Sequence, residues 1–528
     1  MLVINRHANI ARILLVSPAV TALPPGWGPL PAALSTGAGG LGDICATHLT
    51  ALVEHGVDVH LAIPNYRRTF HGISHFTSRG KTGDGYDNRF ENHLHMAEDR
   101  SFYYPPKHAQ RASWEHIRLS LAFQREVIHR IIPEVQPDLV HCFGWQTGLI
   151  PAACRQLGIA SAFSLHYPDS ALVLLSTIEE LGIDAASFWQ NCYYARMPAN
   201  YEETRETNPL DMTASAVFAA QSVSVPSQAF LSSLLDGQHQ ALTNGLRVEL
   251  TNKKRAGRLR VLTPAPDASF SPATDPVLVR PFGPDDHHYG KPYNKLRLQE
   301  TLHLTMDSTA PLFFWPTRLD RSSPGCRLLA DNMASLLDRY RSERMQLVFV
   351  ADGDLNKQMS TLIHRLGAES CVAICSADDH HRRLAYGGAD FLLMMQYQPP
   401  SAMPCSIGLR YGTLPIAYDT GAVHEALTPH DTATGRGSGF LFANFDSGGF
   451  LWAVNQAFRF MDRPPDRRAT FVRRNMMAAV SGVDIDTAKK AAFDFYALEV
   501  KPLRRTATAV IERTPPPDAE AERLAEIA

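Results

Sequence analysis

Ile13-Leu14-Leu15-Val16, a loop over residues 17–42, a helical segment from Ile44 to His55 and then Val57-Asp58-Val59-His60-Leu61-Ala62-Ile63 read as strand, loop, helix, strand. Short apolar runs alternating with helical segments build a parallel sheet flanked by helices. The pattern continues outward, with strands over Asp138 to Cys142, Ser161 to Leu165 and Ser222 to Val225, and helical segments over Thr147 to Leu157 and Pro226 to Leu235. The first half is therefore expected to be a doubly wound α/β domain.

Between Thr263 and Pro292 stand Pro264, Pro266, Pro272, Pro276, Pro281, Pro284 and Pro292, with few paired apolar positions, which is linker composition. A second series follows: strand Leu312 to Trp315, helix Cys326 to Tyr340, strand Gln346 to Val350, helix Leu355 to Leu366, and strands Val372 to Cys375, Phe391 to Met394 and Thr413 to Ala417. Residues 1–275 are expected to form one Rossmann-like domain, 276–292 a linker, 293–511 a second Rossmann-like domain and 512–528 a flexible tail. Two such sheets imply a cleft, and ligands bind at the C-terminal ends of parallel strands.

The 528 residues carry 51 basic and 53 acidic side chains, with 45% hydrophobic and 20% charged. That composition suits a globular chain of two large domains, and its balance supplies no field to draw it onto nucleic acid or an anionic membrane. Eight cysteines without a C-x-x-C pair suggest neither a disulfide framework nor a zinc knuckle, and a cytoplasmic location is expected. No apolar run approaches the roughly 18 residues of a membrane span. The opening imitates a signal peptide, with Arg6 and Arg12 ahead of Ile13 to Val16, but Pro18 splits the run and a buried first strand reads better.

Gly37-Ala38-Gly39-Gly40-Leu41-Gly42-Asp43 is a literal G-x-G-x-x-G at the head of a helix. Glycines let backbone N–H groups approach phosphate or sugar oxygens, and a helix N-terminus adds positive potential. A dinucleotide fold places this motif directly after its first strand, whereas about twenty residues intervene here. A ligand loop of another kind is favoured over an NAD-dependent oxidoreductase or a plain turn.

Further segments occur in both halves: Pro24-Pro25-Gly26-Trp27-Gly28, Asp58-Val59-His60-Leu61-Ala62-Ile63-Pro64-Asn65-Tyr66-Arg67-Arg68, Pro137-Asp138-Leu139-Val140-His141-Cys142 and Trp145-Gln146-Thr147-Gly148-Leu149 in the first, then Ser271-Pro272-Ala273-Thr274-Asp275-Pro276. The second half carries Pro311-Leu312-Phe313-Phe314-Trp315-Pro316-Thr317-Arg318-Leu319-Asp320, Gly387-Gly388-Ala389-Asp390, Arg410-Tyr411-Gly412-Thr413-Leu414-Pro415 and Gly439-Phe440-Leu441-Phe442. Together with the glycine loop, and in this order, they resemble bacterial glycogen and starch synthases, glycosyltransferases of family five. The resemblance implies a GT-B fold of two Rossmann-like domains, ADP-glucose or UDP-glucose as donor, an α-glucan as acceptor, retention at the anomeric carbon, and neither a cofactor nor a tightly held metal. It leaves a homo-oligomer or an active synthase as the candidate protein partners.

The resemblance also implies site residues. Arg318 matches the arginine of the family's diphosphate clamp, and His166 the histidine of a His-Asn pair whose second place is Tyr167; both are expected to be catalytic. Gly39, Gly40, Gly42 and Asp43 of the loop, Gly353 after the strand ending at Val350, and Thr420 with Gly421 are the expected donor-binding positions. The family's two lysines fall on Gly37 and Pro324, its glutamate on Pro399, and its Asp-Trp pair on Gly144-Trp145. A glycine and two prolines cannot supply two ammonium groups and a carboxylate, and losing one preorganised charge partner costs ~10²–10³ in rate. Arg321, Arg327 and Arg410 are the candidate replacements.

His287-His288 and His380-His381 stand beside acidic residues, yet neighbours on a loop do not converge on an ion, so solvated turns and no metal site are expected. Cys371, Cys375 and His141 read as core, and Ser164, Ser232 and Ser406 lack the G-x-S-x-G of a nucleophile elbow. Three functions stay open: a divergent glucosyltransferase, a catalytically silent relative that binds α-glucan or regulates a synthase, and an NAD-dependent oxidoreductase.

Overall fold

The structure is a computed structural model that describes residues 11–27, 29–34, 40–66, 69–70, 90–103, 113–239, 242–481 and 484–499. Its first sheet contains β1 (Arg12–Val16), β2 (Asp58–Pro64), β3 (Leu94–Ala97), β4 (Leu139–Phe143) and β5 (Ala160–Ser164). A small antiparallel ribbon of β6 (Leu172–Val173) and β7 (Leu210–Asp211) precedes its last strands, β8 (Ser222–Val225) and β9 (Leu259–Val261). The second sheet contains β10 (Leu312–Trp315), β11 (Gln346–Val350), β12 (Val372–Cys375), β13 (Phe391–Met394), β14 (Leu414–Tyr418) and β15 (Phe440–Phe442). The spatial orders are β3-β2-β1-β4-β5-β8-β9 and β12-β11-β10-β13-β14-β15, and every pairing within them is parallel.

Both sheets thus start in the middle, run to one edge and return to build the other half. Each has a switch point, between β1 and β4 in one and between β10 and β13 in the other. Helices cover both faces of a parallel sheet, so its inner strands are apolar along their whole length instead of alternating. Ile13 to Val16 and Phe391 to Met394 are buried throughout, as the sequence expects. The unforeseen strands β3, β9 and β15 are edge strands of three or four residues, too short for a periodic pattern. The edge position of β12 qualifies the reading of Cys371 and Cys375 as core: both are half-buried and pack against the margin of the core.

Two boundaries also move. Residues 287–292, read as linker, open the helix His287–Thr301, with Pro292 inside it. Buried polar anchors hold that helix in the second domain: Lys291 Nζ donates to Tyr411 O at 2.8 Å and Thr413 Oγ1 at 2.9 Å, and Lys295 Nζ meets Asp390 Oδ2 at 2.6 Å. The helix Ile485–Glu499, assigned by sequence to the second domain, returns to the first. Its Phe493, Phe495 and Tyr496 share a core with Ile13, Leu15 and Leu61, and Lys489 Nζ pairs with Glu54 Oε1 at 2.7 Å. The tail 512–528 lies outside the described residues. Among the described residues, no helix is long and apolar enough to cross a membrane.

Tyr496 ends in a buried polar chain. Its hydroxyl lies 2.8 Å from His48 Nδ1 and 2.6 Å from His141 Nδ1; His141 Nε2 is 2.8 Å from Ser164 Oγ, itself 2.6 Å from Ser224 Oγ. Burial pushes the His48 pKa down to about 3 and that of His141 well below its ordinary value, so both rings are neutral and can each donate once and accept once. His141 is a satisfied core histidine, as its position after apolar residues suggests.

Candidate functional site

Of the expected site residues, His166, Arg318, Gly353, Thr420 and Gly421 follow the C-terminal ends of strands, and Gly40, Gly42 and Asp43 stand at the head of the helix Leu41–Glu54. After β1, Gly40 caps the helix Leu41–Glu54 with φ +72°. The positive φ demands glycine, and a Cβ there would also press on the Tyr167 hydroxyl. Tyr167 and His166 follow β5, and Trp145 follows β4 and is buried. His166 is 4% exposed, its Nε2 has no hydrogen-bond partner, and burial lowers its pKa to about 3. It is therefore a neutral imidazole with an uncommitted ring nitrogen.

Gly42 lies against Thr21, and Asp43 borders an interdomain gap of about 20 Å³ with Phe270, Met403 and Ile407. That volume holds one water, so Asp43 faces the domain seam and not a roomy cleft. Gly37 and Gly39 lie outside the described residues.

On the second sheet, Arg318 follows β10, is exposed, and forms a two-point pair with Asp320, Nε to Oδ2 and Nη2 to Oδ1 both at 3.1 Å. The loop after β11 supports this segment. Leu319 N donates to Asp352 O at 3.1 Å, Leu355 N to Leu319 O at 3.0 Å, and Arg321 N to Asp354 Oδ1 at 2.8 Å. Gly353 sits so close beneath it that a Cβ would stand 2.0 Å from Leu319 O. Its glycine is thus explained by the support it gives to the Arg318 loop. Gly353→Ala is expected to cost ~1–3 kcal/mol by overpacking, read as a lower urea midpoint with an unchanged slope.

Pro324 is the first residue of the helix Pro324–Arg339, where a missing N–H costs nothing. Arg321 and Arg327 flank it and are exposed. Arg410 is turned elsewhere, its Nη1 3.3 Å from Pro266 O at the hinge, which removes it as a replacement cation beside Arg318. Thr420 and Gly421 follow β14, with the Gly421 Cβ position 3.9 Å from Pro399 O.

Contacts across the cleft come from loops and helices that follow strands of both sheets. Ser227 Oγ donates to Pro400 O at 3.0 Å, Ala229 N to Glu425 Oε1 at 2.6 Å, and Gln398 Nε2 to Gln238 Oε1 at 2.9 Å. The C-terminal edges of the two sheets therefore face each other, with Gly40, His166 and Tyr167 on one side and Arg318, Gly353, Thr420 and Gly421 on the other. Sequence reasoning missed an aromatic shelf on the second side: Tyr397 and Tyr418 stack at 5.6 Å with planes 12° apart, edge-on to Phe445. The only sequence signal for it was an exposed-type aromatic just past an apolar strand.

Two Rossmann sheets of the same strand order, facing each other across their C-terminal ends, define a GT-B fold. Residues 32–246 match the starch synthase catalytic domain. The chain is 26% identical over 449 residues to the glycogen synthase of Lacticaseibacillus casei (strain BL23), covering 78% of this chain and 86% of that one. It is 25% identical over 480 residues to the glycogen synthase of Alkaliphilus metalliredigens (strain QYMF), covering 83% and 92%. The catalytic domain of starch synthase IV from Arabidopsis thaliana, solved bound to ADP and acarbose, superposes with a TM-score of 0.71 at 18% identity, covering 95% of this chain and all of that one. The chain is thus similar to glycogen synthases over most of its length, and to the starch synthase catalytic domain over residues 32–246.

Proposed function

We propose that the protein transfers glucose from ADP-glucose or UDP-glucose to an α-glucan with retention, and that arginines have taken over the diphosphate clamp. The observation that carries this reading is that Arg318, Arg321 and Arg327 are all exposed in the short segment that follows the C-terminal end of β10. When the bond from the anomeric carbon to the diphosphate breaks, negative charge grows on the departing oxygen, and preorganised cations there lower the barrier. A guanidinium offers a planar fork that matches phosphate oxygens. Arg318 is held ready by Asp320, and the N-terminus of the helix Pro324–Arg339 adds positive potential even though Pro324 brings no ammonium group.

The remaining groups have compatible roles. His166 supplies a neutral ring nitrogen for a sugar hydroxyl, Gly40 admits close approach of backbone, and the Tyr397–Tyr418 shelf offers a stacking face for a base or sugar ring. Thr420 and Gly421, which follow β14, complete the donor side. The first helix that carries the glycines starts at Leu41, far along the chain from the end of β1 at Val16, which disfavours NAD binding. The free cysteines suit a cytoplasmic protein. The test is incorporation of labelled glucose from each donor into glycogen primer; measurable elongation is expected, and none with either donor overturns the reading.

One observation favours a second reading, a silent α-glucan-binding relative. The Pro399–Pro400 segment offers no carboxylate to the sugar and instead struts the cleft, through Pro400 O and Ser227 Oγ. Calorimetry separates the two: glucan binding without ADP-glucose or UDP-glucose binding selects the silent form.

A further inference from the structure

Away from the cleft, β2 and β3 bring together side chains that the transferase reading does not use. Asp58 and His60 are two residues apart on β2 and so share a face. The parallel register pairs Leu61 with Leu94 and Ala62 with His95, which sets His93 beside His60. One ligand atom from each of Asp58, His60 and His93 lies within 4.8 Å of the others. The spacing Asp-x-His on one strand and His-x-His at the entry of its neighbour escapes a search for adjacent histidines, which is why the sequence reading of His287-His288 and His380-His381 expected no metal.

We propose that Asp58, His60 and His93 bind a first-row divalent cation, with Zn²⁺ the expected ion. His60 Nε2 is 3.3 Å from Asp58 Oδ1, and His93 Nδ1 is 3.8 Å from the same oxygen. Bonds of ~2.0–2.1 Å in a tetrahedral site hold neighbouring ligand atoms ~3.3–3.4 Å apart, so the cluster is nearly at coordination spacing. His60 is 8% exposed and its buried Nε2 has no hydrogen-bond partner, despite the nearby carboxylate oxygen. The ring nitrogen is close to that oxygen but not aimed at it. Ligands of one ion behave this way, since their axes converge on a third point and not on each other. Imidazole nitrogen with a carboxylate oxygen is a donor set that suits zinc.

Outer contacts orient the ligands as metal sites require. Arg12 Nε holds Asp58 Oδ2 at 2.7 Å and leaves Oδ1 to the ion; His95 Nε2 lies 2.9 Å from His60 Nδ1 and fixes that ring. His93 Nδ1 now rests 3.0 Å from Val59 O, and its ring is nearly parallel to that of His60 at 4.2 Å. Ligation exchanges the Val59 bond for the metal and turns the more exposed His93 ring out of the stack, with a water completing the sphere. The cluster sits at the N-terminal ends of β2 and β3, opposite the cleft, so the ion would fasten β1, β2 and β3 together and take no part in glucosyl transfer.

The test uses tag-free full-length protein stripped with chelator and titrated with Zn²⁺ by calorimetry, then with Co²⁺ followed by visible absorption. One ion per chain at micromolar dissociation constant or tighter, a raised Tm, and an intense Co²⁺ band of low coordination number are expected. His60→Gln and His93→Gln should each weaken binding at least tenfold, and His380→Gln should leave it unchanged. His93 is partly exposed, so its variant retains the fold, which circular dichroism checks. Absence of stoichiometric binding, or binding that survives both substitutions, overturns the proposal.

Discussion

Arg318→Ala is expected to lower glucose incorporation by ~10²–10³-fold, the cost of removing one preorganised partner of a developing anion. Most of the loss should appear in kcat, because diphosphate charge grows toward the transition state and the ground-state donor retains Arg321 and Arg327. Arg318→Lys keeps the charge without the fork and should recover only part of the rate. Arg410→Ala is the matched control: its guanidinium faces Pro266 O, so it should leave the donor kinetics unchanged. Equal rates for Arg318→Ala and the parent protein would remove the arginine clamp, since no other guanidinium of that segment has a two-point partner like Asp320 to orient it.

The scaffold was legible because buried parallel strands announce themselves as unbroken apolar runs, such as Leu312 to Trp315 and Phe391 to Met394. The edge strands β3, β9 and β15 bury too few residues to leave such a run. Residues 287–292, the start of the helix His287–Thr301, were read as linker because prolines dominate that approach, while the bonds that stabilise the helix, from Lys291 and Lys295, reach residues about a hundred positions later. Of the site, the one-dimensional pattern identified positions and not directions. It ranked Arg410 with Arg321 and Arg327, although only the folded chain shows Arg410 turned to the hinge. It assigned Gly353 to ligand binding, although the demand for glycine comes from Leu319 O. It took Tyr167 for a mere replacement, although its hydroxyl covers the Gly40 turn.

Tyr496→Ala is expected to destabilise the protein by ~3–5 kcal/mol, the usual cost of emptying a fully buried aromatic site. That is a large share of the ~5–15 kcal/mol that holds a typical domain together. Part of the loss is polar: the Tyr496 hydroxyl is the shared partner of His48 Nδ1 and His141 Nδ1, and both rings are buried. Tyr496→Phe isolates that part, keeping the ring while leaving buried nitrogens unsatisfied, and should cost ~1–3 kcal/mol. Urea unfolding of the first domain, followed by circular dichroism, measures both. The effect should spread beyond the last helix, because the chain from Tyr496 continues through His141 to Ser164 and Ser224 and so ties β4, β5 and β8 to a segment that arrives from the second domain. The loops after β4 and β5 carry Trp145, His166 and Tyr167, so loosening this tie should also raise KM for the donor while leaving Arg318 untouched. A midpoint within ~0.5 kcal/mol of the parent, the range of a neutral surface change, would mean that the returning helix rests on the first domain without stabilising it.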